Sequence, residues 1–226
     1  MSAGVDAESL FATGVLRARG EDVTTTECFE TAVEEYAAEV VALPPDELAA
    51  LVGDRLEREA VVEPFAELGV EDPRCVAELF ALRDHLEPSP DEDWLALLPV
   101  LWLFRSTGTP TDGVPDPFVP VPATHLPHLT RIYSPAIVYV WLDDCPPCET
   151  VRSDLESIFE EPRELMPFAV YGPDHREFLA ETYGVTAGPA LLFMLGGRVD
   201  SRLYGAQPER TVRSELSTLL EQRPPA

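Results

Sequence analysis

The sequence predicts two folded parts of different classes, an all-α helical bundle followed by an α/β domain. Residues 1–106 carry apolar side chains at helical spacing and predict the bundle. Six prolines between residues 107 and 127 exclude a helix or a central strand there, so this stretch is a linker or an edge segment. Residues 128–226 change period, with a continuous apolar run at 136–142 that is typical of a strand buried on both faces.

Start and stop signals divide the first part into five or six helices joined by short turns, which is the pattern of a small bundle. Thr24 and Glu27 have capping-box spacing, and the Asp72-Pro73 and Ser89-Pro90 pairs place proline at a first helical position. The predicted helices run from Asp6 to about Ala18, from Thr24 to about Ala42, from Asp46 to about Glu59, from Asp72 to about Leu86, and from Ser89 to about Arg105. The apolar stripe from Trp94 to Trp102 on the last of these is predicted to be core or domain interface and not a ligand site.

The second part alternates strands and helices in the order βαβαββα. The predicted elements are a strand at 136–142, a helix at 148–161, a strand at 166–171, a helix at 174–183, a hairpin of strands 190–195 and 198–204 around Gly196-Gly197, and a helix at 208–222.

The charge of the chain is strongly negative, with 41 Asp and Glu against 16 Arg, no Lys, and a net charge of −25. Such a surface repels nucleic-acid phosphates, which excludes DNA and RNA as partners. The acidic residues are dispersed along the chain, and the composition resembles that of halophilic archaeal proteins. An acidic patch that binds one basic partner would instead be clustered in the sequence. The N-terminus resembles no signal peptide, and the longest apolar stretch, Trp94–Phe104, is half of the ~20 residues that span a bilayer. We therefore expect a cytoplasmic protein that is not inserted in a membrane.

The motif Cys145-Pro146-Pro147-Cys148 lies where a strand ends and a helix begins. This i,i+3 spacing places both sulfurs on one side of a helical turn, at a separation that a disulfide can bridge. Free N–H groups and the helix dipole favour a thiolate at Cys145, which predicts that Cys145 is the nucleophile. Cys148, one turn further in, would resolve the mixed disulfide.

Residues 136–222 resemble a thioredoxin-fold domain, a mixed central sheet flanked by helices. The matching features are Trp141 four residues before Cys145, CPPC in place of the family's CGPC, Gly188-Pro189 before a strand, the Gly196-Gly197 turn, and Gly205 sixteen residues after Pro189. The resemblance implies that Pro189 is cis and faces the cysteine pair. It also implies that Trp141, Gly188 and Pro189 bind substrate, with the Gly188 backbone pairing with an extended peptide.

Four features depart from that family. Tyr139 stands where thioredoxins bury an aspartate, and a tyrosine with an ordinary pKa near ~10 is a poor base at neutral pH. Asp144, preceded by Asp143, replaces a tryptophan, and carboxylates beside Cys145 disfavour its thiolate. Gly188 replaces a bulkier residue and is expected to leave the substrate groove more open. The stretch 123–135 is short for the family's first helix, which predicts a trimmed front of the fold.

Two alternatives concern the cysteines. A lone CxxC can be half of a zinc site, but Cys28, Cys75 and the four histidines form no second ligand pair of suitable spacing, so we expect no metal. Cys28 and Cys75 lie in helical patterns and are expected to be buried free thiols, the alternative being a second redox pair.

The sequence thus predicts a thiol–disulfide oxidoreductase that acts on protein disulfides, works with a reductase, and uses the Cys145–Cys148 disulfide in place of a bound cofactor. The helical part would select partners. The alternative is a peptide-binding adaptor or holdase with little redox turnover, which the Tyr139 substitution favours.

The dispersed negative charge predicts a stability that rises with salt. At ~1 M salt the Debye length is roughly 3 Å, so carboxylates that are not in contact no longer repel each other. We expect the melting temperature to climb steeply between dilute buffer and molar KCl, measured by circular dichroism. A melting curve indifferent to KCl would contradict the salt-adapted interpretation.

Overall fold

The computed structural model describes residues 7–20, 22–86, 91–104, 110–161 and 163–222. The chain divides into two compact units, residues 1–107 and 108–226. The predicted boundary at 106–107, Asp6, and the Ser89-Pro90 pair lie outside the described residues.

The first unit is mainly helical but also contains a small hairpin. Its elements are α1 (Ala7–Ala12), β1 (Leu16–Arg19), β2 (Asp22–Thr25), α2 (Glu27–Ala42), α3 (Pro45–Arg55), α4 (Glu59–Glu71), α5 (Pro73–Leu86) and α6 (Asp91–Trp102). The expectation of an all-α unit is therefore wrong at its N-terminal end.

The predicted helix to Ala18 ends at Ala12 and gives way to the antiparallel pair β1 and β2. Gly20, between the two strands, has a φ of +66°, a conformation that glycine adopts without strain and that a tight turn requires. Thr24 pairs with Arg17 in this hairpin and does not cap α2. The N-cap is Thr26, whose hydroxyl accepts a hydrogen bond from the Phe29 N–H at 3.3 Å.

The prediction of one helix to Glu59 is also wrong, because α3 ends at Arg55 and a further helix, α4, follows. The patterns above predict no helix over Glu59–Glu71. Val61, Phe65 and Leu68 nevertheless recur at helical spacing and are buried there, with Pro64 inside the helix. Burial of this apolar face stabilises α4 despite the internal proline.

The core of the first unit encloses a paired carboxylate. Glu78 on α5 is 1% exposed and accepts hydrogen bonds from Arg74 Nε at 2.8 Å and from Trp102 Nε1 at 2.9 Å. These bonds satisfy a group that would be costly to bury alone, and they join α5 to α6. Trp94 and Trp102 are both buried, which agrees with the prediction of a core or interface position for the apolar stripe of α6.

The second unit is built on a five-stranded mixed sheet. Its elements are β3 (Val119–Pro120), a 3₁₀ turn (Ala123–His125), α7 (Leu126–Ile132), β4 (Ala136–Trp141), α8 (Pro146–Ile158), β5 (Met166–Tyr171), a 3₁₀ turn (Gly172–His175), α9 (Arg176–Tyr183), β6 (Ala190–Leu195), β7 (Arg198–Tyr204) and α10 (Glu209–Glu221). The strand order is β3-β5-β4-β6-β7. The strands β3 and β5 and the strands β4 and β5 are parallel, whereas β6 is antiparallel to both of its neighbours, β4 and β7.

The described part of the proline-rich segment is an edge segment of this sheet and not a linker between the units. Val119 of β3 lies opposite Phe168 of β5, and the Val121 N–H donates to the Ala169 carbonyl at 2.9 Å. Phe118 is 1% exposed, with its ring edge-on to Tyr139 and Phe159. The front of the fold is therefore present, although β3 has only two residues and α7 only seven.

β4 is the central strand, and all six of its residues are buried. Side chains alternate along a strand, so Tyr139 and Trp141 point to one face of the sheet and Val140 to the other. Tyr139 and Trp141 belong to the core formed with α8 and α10. Three residues, Leu142, Asp143 and Asp144, join this strand to the CPPC motif.

Within the described residues, no helix combines the length and apolar character needed to cross a bilayer.

Replacing Phe118 by alanine tests whether the proline-rich segment is part of the second unit. Removal of a buried phenylalanine side chain leaves a cavity, and we expect a loss of about 3 kcal/mol in the free energy of unfolding, measured with urea. The exposed neighbour Thr111→Ala is the control and should change stability by less than about 0.5 kcal/mol. Equal stability of the two variants would mean that the segment does not pack on the sheet.

Candidate functional site

Cys145 and Cys148 are joined by a disulfide at the N-terminus of α8, with their Cα atoms 5.2 Å apart. That separation lies within the range of ordinary disulfides. Pro146 and Pro147 occupy the first two helical positions, where a missing N–H costs no intrahelical hydrogen bond.

Cys145 is the N-cap of α8. Its carbonyl accepts the Cys148 N–H at 2.8 Å, and its Sγ accepts the same N–H at 3.2 Å. A backbone donor thus points at Cys145 Sγ from the positive end of the helix. Cys145 is half-buried and Cys148 is 5% exposed. This difference in access agrees with the expectation, while the chemical roles of the two sulfurs stay a prediction.

The disulfide borders a cleft of about 180 Å³ that lies on the α8 face of the sheet. Its charged lining is mostly acidic, with one basic residue, and comprises Asp112, Asp143, Asp144, Glu149 and Arg152. Asp144 has a φ of +47°, a left-handed conformation that is uncommon for residues other than glycine. This strained residue turns the chain from β4 into the N-cap position of α8.

Tyr139 lies beneath the disulfide and is fully buried. Its hydroxyl donates to the Cys148 carbonyl at 2.9 Å, which ties the centre of β4 to the first turn of α8. Burial raises the pKa of Tyr139 above its ordinary value, an effect that nearby Arg152 partly opposes. The phenol therefore stays protonated at neutral pH and holds the helix in place without accepting a proton.

Trp141 is a wall of the cleft and is only 3% exposed. Gly113 lies against its ring so closely that a Cβ there would come within 2.3 Å of Trp141 Cε3. The Tyr171 ring also packs on Trp141, at 4.8 Å between ring centroids, and the Tyr171 hydroxyl donates to Asp143 Oδ2. This hydrogen bond raises the pKa of Tyr171 to about 12. Trp141 Nε1 is buried and has no hydrogen-bond partner among the described residues.

Gly188 and Pro189 lie just before β6, and the peptide bond between them is cis, as the resemblance implies. The Pro189 carbonyl accepts the Gly205 N–H at 2.8 Å, whereas Gly188 makes no backbone hydrogen bond to the described residues. The expected open space beside Gly188 is occupied by Leu142, since a Cβ on Gly188 would lie 3.0 Å from Leu142 Cγ. Leu142 also lines the cleft beside the disulfide, so one side chain connects the two loops.

The other two cysteines differ from each other. Cys28 is exposed, so the expectation of a buried thiol is wrong there, because the helix turns this position away from the buried Phe29 face. Cys75 is buried as predicted, and its Sγ donates to Asp72 Oδ2 at 3.2 Å. Neither forms a disulfide. In the part of the chain that the structure describes, no group of three or more potential metal ligands includes Cys145 or Cys148.

Sequence reasoning missed three residues that shape this site: Gly113, Leu142 and Tyr171. Gly113 lies in a loop far from Trp141 in sequence, and no local pattern predicts their contact. Leu142 is the last residue of the predicted strand and directly precedes Asp143 and Asp144. An apolar residue at that position was the one sequence signal for a buried contact beside the motif.

No protein-family model matches the sequence. Among curated proteins, thioredoxin of Griffithsia pacifica is 23% identical over 87 residues, which are 38% of this chain and 80% of the relative. Thioredoxin 1 of Chlorobaculum tepidum is 27% identical over 82 residues, 36% of this chain and 81% of the relative. Among solved structures, a mutant thioredoxin from Halobacterium salinarum NRC-1 covers 46% of this chain and 94% of its own, with 22% identity and a TM-score of 0.40. Fasciola hepatica thioredoxin covers 43% and 94%, with 26% identity and a TM-score of 0.39.

The buried phenol predicts a pH-dependent effect of Tyr139→Phe. Near about pH 8 the variant loses the hydrogen bond to Cys148, and we expect a cost of about 1 kcal/mol. Above the ordinary tyrosine pKa, the unfolded wild type releases this proton whereas the folded form keeps it, so the wild type loses stability as pH rises. At about pH 11 this loss is roughly 1.4 kcal/mol, and the advantage over the variant should vanish. Urea unfolding of both proteins at both pH values measures the difference in their free energies of unfolding. A difference that does not change with pH would contradict a raised pKa of Tyr139.

Proposed function

Since about 40% of the chain is a thioredoxin-like region, we propose that this protein is a thiol–disulfide oxidoreductase that acts on protein disulfides through its CPPC motif. The observation that carries the proposal is the pairing of Cys145 and Cys148 at a helix N-cap, with one sulfur more accessible than the other. That arrangement has the nucleophile and the resolving thiol that exchange chemistry needs.

The reaction begins with both cysteines reduced. The Cys145 thiolate attacks one sulfur of a substrate disulfide, an S–S bond to the substrate forms, and the other substrate sulfur leaves as a thiolate that takes up a proton. The Cys148 thiol loses its proton and attacks Cys145 Sγ, which releases the second substrate thiol and closes the Cys145–Cys148 disulfide. Two electrons pass to the substrate, and an external dithiol reductase supplies two more, which reduce the Cys145–Cys148 disulfide to two thiols.

The assignment of Cys145 as nucleophile rests on its position. Its Sγ accepts the Cys148 N–H and lies at the positive end of α8, and both features favour a thiolate. Cys148 is shielded from substrate and would react only after the mixed disulfide at Cys145 has formed. The carboxylates of Asp143 and Asp144 oppose a negative charge on Cys145, an effect that salt weakens.

The proton of Cys148 needs an acceptor other than Tyr139, whose burial keeps it protonated. The nearby carboxylates of Asp143, Asp144 and Glu149 line the same cleft and could be reached through water. We assign them this shared role.

The substrate would bind as an extended segment along Gly188 and Pro189. The Gly188 backbone is not hydrogen-bonded to the described residues, so its N–H and carbonyl can pair with a peptide by strand addition. Trp141 is mostly covered and lines the cleft beside the disulfide, so it would shape the site and make little direct contact with the substrate.

The partners in this proposal are protein disulfides and thiols together with a reductase, and the helical unit selects among them. The acidic, lysine-free composition supports a halophilic, archaeal and cytoplasmic setting. The redox-active disulfide takes the place of a cofactor. A peptide-binding adaptor with little turnover is the second candidate, favoured by the absence of a buried carboxylate at Tyr139.

Cysteine-to-serine variants test the roles of the two sulfurs. We expect Cys148→Ser to accumulate mixed disulfides with partner proteins that reductant releases, because the resolving thiol is missing. Cys145→Ser should trap few, and neither variant should turn over a protein disulfide. The measurement is non-reducing electrophoresis combined with a disulfide reduction assay.

The control is the pair Cys28→Ser with Cys75→Ser, which should keep turnover within about twofold of the wild type, because both lie outside the exchange pair. If Cys145→Ser were the better trap, the roles would be reversed. If neither variant trapped a partner and the wild type reduced no disulfide, the adaptor function would replace the enzyme.

A further inference from the structure

A second cleft, of about 270 Å³, lies on the face of the sheet opposite the first. Val140 and Leu142 from the β4 side, Leu179 from α9 and Val185 from the following loop supply its apolar walls. Its volume is below the roughly 300–1,000 Å³ of pockets that enclose whole small molecules, and it suits a single side chain better.

Among the described residues that line the cleft, Arg176 at the start of α9 is the only charged one. Arg176 is exposed and forms no ion pair with the described residues. Asp174 and Glu177 are its exposed neighbours in sequence, but neither lines the cleft. On a chain with a net charge of −25, an arginine at the rim of an apolar cleft is a local attraction for a carboxylate.

The cleft is continuous with the surface assigned to substrate. Gly188 is one of its lining residues, and its backbone makes no hydrogen bond to the described residues. Leu142 packs between Gly172 and Gly188, since a Cβ at either glycine would lie 3.0 Å from a Leu142 carbon. A peptide strand on Gly188 therefore has the disulfide on one side of Leu142 and the second cleft on the other.

We infer that this cleft is a specificity pocket that selects substrates by an apolar side chain seated against Leu142, Leu179 and Val185, next to a carboxylate held by Arg176. The preferred substrate class is a protein disulfide whose cysteine has a large apolar residue and an acidic residue within a few positions in sequence. This inference rests on the proposed function for its chemistry, but the binding that it describes can be measured without turnover.

The test uses nine-residue peptides with a central cysteine in a mixed disulfide with thionitrobenzoate, whose release is followed by absorbance. Different peptides place a leucine and an aspartate at different positions on either side of the cysteine. For each peptide, one control has alanine in place of the leucine and another has glutamine in place of the aspartate. At one register we expect leucine to raise kcat/KM about tenfold over alanine. Aspartate should raise it about two- to fivefold over glutamine, and added salt should reduce this second effect.

Two variants separate the two contacts. Arg176→Gln should remove the preference for aspartate and keep that for leucine, while Arg210→Gln, the same change of charge at an exposed position of α10, should keep both. Ala180→Leu, at a half-buried helical position that lines the cleft, should fill it and remove the preference for leucine. If Ala180→Leu does not fold, the peptide preferences of the wild type and of Arg176→Gln are sufficient to test the pocket.

Affinities of the same peptides with serine in place of cysteine, measured by calorimetry on the oxidised full chain, keep binding apart from chemistry. If a small aromatic disulfide is reduced but the peptide profile is flat, the pocket is overturned and the proposed function stands. If no disulfide is reduced but the serine peptides bind in the expected order, the function fails and the pocket stands. A preference for basic residues, or a dimer of the chain that covers the cleft, would also overturn the inference.

Discussion

The burial of β4 on both faces is the constraint on which the candidate site depends. A strand whose six residues are all buried between two pairing partners cannot shift its register without moving apolar side chains into the wrong layer. Its end therefore delivers Leu142, Asp143 and Asp144 to fixed places, and the left-handed Asp144 turns the chain into the N-cap of α8. The Tyr139 hydrogen bond to Cys148 adds a second link between the strand and the helix.

The alternation of side chains along β4 also explains why two clefts flank the cysteine turn. Tyr139 and Trp141 face α8 and form the wall beside the disulfide, while Val140 faces α9 and forms part of the apolar pocket. Leu142 lies beyond the end of the strand and lines both. The disulfide and the proposed substrate pocket would thus lie on the same rigid strand, which keeps the distance between the disulfide and the pocket constant.

The sequence predicted most of the second unit because its signals are local. A continuous apolar run predicts β4, Gly196-Gly197 predicts the β6–β7 hairpin, and CPPC predicts the start of α8. It failed for β1 and β2, whose exposed, polar strands resemble the polar face of a helix. It also failed for contacts made in three dimensions, such as Gly113 on Trp141 and Leu142 beside Gly188. The position of the proline-rich segment belongs to the same class, since only pairing with β5 makes an edge strand of it.

We propose that Cys145 and Cys148 pass two electrons to a substrate disulfide as a pair. The most direct measurement mixes the reduced full chain with one equivalent of a disulfide peptide and alkylates all remaining thiols before mass spectrometry. We expect Cys145 and Cys148 to escape alkylation together while the peptide gains two alkylated thiols. The alkylation of Cys28 and Cys75 should be the same with and without the peptide. Full alkylation of Cys145 and Cys148 beside an intact peptide disulfide would contradict it.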